Sequence, residues 1–121
     1  TNNPLPKFSS NTVTIIASVY RQSGNTSWGG VFFQRNGGGT ATGLNIQGNG
    51  QLQYHWNDGM WGYGSGLYVP TDKWVHVAMA VSPTEATFYL AEDGIVTART
   101  DGKQQTVLNF IFPSCDDGPW G

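Results

Sequence analysis

The chain has 121 residues, 38% hydrophobic and 13% aromatic but only 12% charged, with a formal net charge of −2. Its six basic residues, Lys7, Arg21, Arg35, Lys73, Arg99 and Lys103, are scattered, which excludes the concentrated basic footprint that nucleic acid requires. No apolar run approaches the about 18 residues of a membrane span, and the single cysteine, Cys115, precludes an internal disulfide and leaves a buried thiol or an intermolecular link.

Alternation of apolar and polar residues predicts β-structure throughout. In residues 12–20, Val13, Ile15, Ala17 and Val19 share one face, while Ile16 and Tyr20 make the other partly apolar. GVFFQR (30–35) is a short apolar run. Two alternating runs in residues 43–56 flank Gly48-Asn49-Gly50, which predicts a hairpin with a two-residue type I′ turn. In that hairpin Tyr54 and Trp56 point one way and His55 the other. One of these faces is core; the other is concave surface or a second buried layer. Residues 57–66 read as a loop or irregular edge because of their glycines. Residues 74–82 and 85–92 form a second hairpin around Pro83-Thr84. Val75, Val77, Met79 and Val81 face opposite Trp74, His76, Ala78 and Ala80. Both faces are mainly apolar, which predicts a central strand covered on both sides, with Trp74 and His76 in the core. After Asp93-Gly94, residues 95–100 and 106–112 read as further strands. The expected architecture is two antiparallel sheets packed face to face.

Three stretches, NTVTIIASVYRQ, GLNIQGNGQLQYHWN and LYVPTDKWVHVAMAVSPTEATFYLAEDG, together resemble the laminin-G-like, concanavalin A-like jelly-roll domains. Pro70, Trp74, Val77, Ala78, Tyr89, Leu90 and Gly94 of the third stretch stand where that family carries its strand and hairpin motif. The resemblance implies an all-β antiparallel β-sandwich (jelly roll), one domain spanning 1–121, and a secreted or cell-surface location. It departs from the family at both ends. TNNPLPKFSS is a poor first strand, and Gly118-Pro119-Trp120-Gly121 falls about where a last strand begins. The expectation is a sandwich lacking its terminal strands, because the sequence is part of a longer protein or because another polypeptide supplies them.

The chemistry of catalysis finds little support. Asp58, Asp72, Glu85, Glu92, Asp93, Asp101, Asp116 and Asp117 form no same-face carboxylate pair of the kind glycoside hydrolysis uses, and no serine sits in a nucleophile elbow. The expectation is a protein that is not an enzyme. Relatives of this fold often hold calcium; Asp116 and Asp117, with Asn57-Asp58, are the candidate oxygen ligands, although a site needs several oxygens brought together by folding. Asn25-Thr26-Ser27 is a glycosylation sequon in a loop, relevant only in a eukaryotic secretory host.

The aromatics carry the binding reading. Trp61 and Tyr63 stand among Gly59, Gly62, Gly64 and Gly66, so few neighbouring side chains can shelter them. They stack on a ligand, enter a protein interface, or serve as core or loop anchors. The resemblance favours a glycan, with Asn57 and Asp58 orienting its hydroxyls and Trp28 contributing from another loop. The rival reading is a structural subunit of an extracellular fibre or adhesin, assembled by strand exchange between chains.

Overall fold

The computed structural model describes residues 11–36, 39–56 and 63–101. Among the described residues eight strands succeed one another: β1 (Val13–Tyr20), β2 (Gly29–Asn36), β3 (Gly39–Ile46), β4 (Gln51–Trp56), β5 (Tyr63–Tyr68), β6 (Trp74–Val81), β7 (Ala86–Glu92) and β8 (Ile95–Asp101). They build two four-stranded antiparallel sheets, ordered β1-β6-β7-β8 and β2-β3-β4-β5. The two sheets pack face to face as the expected all-β sandwich of jelly-roll type.

Period-two alternation decides what each strand buries. From β6, Val75, Val77, Met79 and Val81 enter the core and meet Ala86, Phe88 and Leu90 of β7. Leu44, Ile46, Leu52, Tyr54 and Trp56 face them from the second sheet, where the Tyr54 ring lies 5.0 Å from that of Phe88. The Tyr54 hydroxyl donates to Asp101 at 3.2 Å, tying β4 to the end of β8. Burying such side chains stabilises each by roughly 1.5–3 kcal/mol.

β6 is covered on one side only, contrary to its sequence pattern. Trp74 is 70% exposed and His76 is exposed beside it, on the face of the first sheet turned away from the core. Apolar character on that face comes from alanines and one tryptophan, and among the described residues no layer covers it. His76 is still satisfied at one ring nitrogen, because Ser18 lies 2.9 Å from Nδ1 across the β1–β6 ladder.

β4 shows the opposite behaviour. Leu52 through Trp56 are buried on both faces, so His55 belongs to a second buried layer, where its ring lies 5.6 Å from Phe33. The hairpin entering β4 forms as expected, but its turn differs. It spans Gln47–Gly50, with the Gly50 N–H donating to the Gln47 carbonyl at 2.8 Å. Gly50 has φ +94°, whereas Asn49 is not left-handed, so the type I′ geometry is replaced by a longer turn with one left-handed glycine. Residues 63–66, read as loop from their glycines, open the edge strand β5 instead. There the Gln51 side chain accepts a hydrogen bond from Gly66 N–H at 3.1 Å. Residues 106–112, the remaining expected strand, and Cys115 lie outside the described residues.

Candidate binding hollow beside strand β1

At the end of β1 the chain leaves the sheet through Arg21 and Gln22 and returns to β2 at Gly29. Between this connection and β1 lies a hollow of about 560 Å³, whose lining includes Tyr20, Gln22, Asn25, Ser27 and Trp74. Tyr20 and Trp74 are directly paired across the β1–β6 ladder, so their rings emerge together on the outer face. The centroids are 5.6 Å apart, with the planes tilted by 58°. Trp28, also half-exposed, follows Ser27 on the same connection.

The connection is held at several points. Arg21 Nη2 donates to the Gly48 carbonyl at 2.6 Å, and Nη1 to the Val69 carbonyl at 3.4 Å. Any side chain at Gly48 would collide with the Thr26 carbonyl, so the β3–β4 turn must be bare where the connection crosses it. Asp72 accepts from Ser23 N–H at 2.9 Å, while its own N–H donates to the Arg21 carbonyl at 2.7 Å. The Ser23 backbone N–H, then the Ser23 hydroxyl, hold the Asp72 carboxyl below the usual carboxylate range. Within the connection, the Asn25 side-chain carbonyl accepts from Ser27 N–H at 2.9 Å, closing an Asx turn.

The arrangement sets two exposed aromatic rings beside amide and hydroxyl groups. Among the described residues no carboxylate lines it. Such a surface can stack against the C–H face of a pyranose and hydrogen-bond its hydroxyls. Of the residues named from sequence for binding, Trp28 stands next to this hollow. Tyr63 does not: it is half-buried, stacked on Tyr54 with centroids 4.8 Å apart and planes at 28°, and packed against the core. Trp61, Asn57 and Asp58 lie outside the described residues, as do the calcium candidates Asp116 and Asp117. Among the described residues, no three His, Cys, Asp or Glu side chains come together as a metal site.

Of the described acids, Glu92 and Asp93 both accept from Lys73, at 2.8 and 2.6 Å. The Asp93 carboxylate, then that of Glu92, hold the ammonium above the ordinary lysine range.

Sequence reasoning passed over Tyr20 and Trp74 as ligand groups. The signal was present in the register: Trp74 alternates with the valines of β6, and Tyr20 with those of β1. Whether that second face was covered decided between core and surface, and periodicity alone does not carry that information.

A laminin-G family model, described as the concanavalin A-like lectin/glucanases superfamily, matches residues 1–112. No curated protein and no solved structure matches the chain. Among the described residues no helix is long and apolar enough to cross a membrane.

Proposed function

Because the chain belongs to the concanavalin A-like lectin/glucanase superfamily, with a laminin-G-like domain over residues 1–112, we propose that it is a secreted or cell-surface module that binds a glycan without catalysis. Laminin-G-like domains are generally non-catalytic binding modules and typically extracellular, although the superfamily also includes glucanases. The carrying observation is the hollow beside β1, where exposed Tyr20 and Trp74 stand against Gln22, Asn25 and Ser27. In this reading the rings stack on a sugar, the amides and hydroxyl read its equatorial groups, and Trp28 extends the platform. Trp61, Asn57 and Asp58 form a second candidate contact. Calcium held by Asp116 and Asp117 would serve such a module as a structural or bridging cation. In this reading 1–121 is a single domain, completed by further residues of a longer protein or by another chain.

Titration of the tryptophan fluorescence with soluble glucan, mannan, galactan and sulfated glycosaminoglycan tests this. A saturable response is expected, weakened at least ten-fold by Trp74→Ala with an unchanged far-UV spectrum. A silent panel overturns the glycan reading. A response lost in Trp61→Ala but kept in Trp74→Ala moves the site to the second contact.

A second reading, a structural subunit of an extracellular fibre or adhesin joined by strand exchange, is supported by a different observation. Among the described residues β1 and β2 are both edge strands and lie side by side, so the sandwich is open along that seam.

A further inference from the structure

The hollow is one end of a longer surface. β1 and β6 keep an unbroken register from Val13–Val81 to Tyr20–Trp74, so their outward side chains stand in rows, each about 7 Å from the next. Tyr20 and Trp74 form the first row and line the hollow. Ser18 and His76 form the second, and Ser18 also lines the hollow, so the two rows are continuous. In the third row Ile16 and Ala78 are joined by Tyr89 of β7, on the far side of Ala78. Ala80 carries the line on between Thr14 and Thr87.

These rows make a trough along β6. Its floor drops from His76 to Ala78 and Ala80, while Ile16, 73% exposed, rises on one side and Tyr89 on the other. Neighbouring strands lie about 4.8 Å apart, so the two strands carrying these walls are about 10 Å apart. A helix with its side chains is about 10–12 Å across and would ride above such a trough. A single extended chain of linked sugar rings can lie in it. Across β1, β6, β7 and β8 the strand positions facing outward carry no Asp, Glu, Lys or Arg, so covering them strands no unpaired charge. Groups suited to hydroxyls recur along the way. Ser18 Oγ and His76 Nδ1 stand 2.9 Å apart, which fixes the imidazole and leaves Nε2 for a ligand.

We propose that the binding site extends from the hollow along β6 and takes a linear, uncharged polysaccharide, its chain parallel to the strand. The inference rests on the glycan reading above and gives it a direction and a minimum length. One ring stacks on Tyr20 and Trp74. The following units pass over His76, whose Nε2 meets a hydroxyl, and settle on Ala78 between Ile16 and Tyr89. A terminal sugar recognised by the hollow alone would use none of these further groups. Binding therefore strengthens with chain length until the trough, about 20 Å from Trp74 to Ala80, is filled.

Tryptophan fluorescence of the full chain, titrated with gluco-, manno- and galacto-oligosaccharides from monosaccharide to hexasaccharide, measures the outcome. In at least one series the hexasaccharide should bind about ten-fold more tightly than the disaccharide, the worth of one or two further hydrogen bonds. His76→Ala removes a contact and Ala78→Ile fills the floor; each should lower that ratio to about two-fold or less. The far-UV spectrum should stay unchanged, because both side chains lie on the outer face. A ratio that survives either variant overturns the trough. Equal affinity at every length also overturns it, and leaves the Tyr20–Trp74 surface as a reader of single sugars. A panel silent at every length overturns this inference and the glycan reading together. Self-association in sedimentation velocity that Ala78→Ile abolishes assigns the trough to a second copy and overturns the inference.

Discussion

Asp72 ties the connection that walls the hollow to the strand ladder beneath it. It sits at φ +60°, a left-handed conformation that aspartate and asparagine tolerate better than most residues. From there its carboxylate holds Ser23 while its N–H holds Arg21. Its folded-state pKa is depressed, so its contribution to stability is present above the ordinary carboxylate value of about 3.9 and lost as pH falls through the folded value. Asp72→Asn keeps the left-handed backbone but not the charge. Denaturant midpoints of the natural and variant chains should therefore differ near neutral pH and converge only as pH falls through the depressed folded-state value, below the ordinary carboxylate range. The partner of Asp72, Ser23, is 49 residues away, and no local pattern announces such a pair. Trp74 illustrates a different limit. Its parity was readable, whereas its 70% exposure depends on what other strands do or do not cover.

At the level of elements, hairpins were the most legible feature because their turn and both alternating runs are contiguous. β3–β4 and β6–β7 form where glycine, proline and alternation indicated. β5 was obscured because its Gly64 and Gly66 suggest a loop, yet the ladder with β4 holds this segment in place. β4 is buried from Leu52 to Trp56, and Leu52 on it is fully buried. Leu52→Ala should accordingly cost about 2–5 kcal/mol, read as a fall in unfolding free energy by urea titration.

Across the whole molecule, low charge sets the terms of recognition. With a net charge of −2 and no basic cluster, long-range steering contributes little. Binding of a neutral polysaccharide at the Tyr20–Trp74 surface should change less than about two-fold between about 0.05 and 0.5 M salt in calorimetric titration, because stacking and neutral hydrogen bonds are not screened. A steep salt dependence would indicate recognition of an anionic ligand, for which Arg21 is the cation lining the hollow. Two facing sheets could be read from alternation because several strands, β1 and β6 above all, carry their own period-two signal. The order of strands within each sheet could not, since it depends on pairings between distant segments.

One such pairing governs how the chain reaches this state. β2 through β5 form a meander of sequence neighbours, and so do β6 through β8. Among the described strands β1 alone joins its sheet by a distant contact, Val13 with Val81 and Tyr20 with Trp74. Closing that long loop is entropically the slowest step available, so the two meanders should assemble first and β1 should dock onto β6 late. Val77→Ala in β6 should then slow refolding in stopped-flow measurements, while Val19→Ala in β1 should mainly hasten unfolding. Until β1 arrives, the long hydrogen-bonding edge of β6 stands open, and the newly made chain passes through its most association-prone moment there.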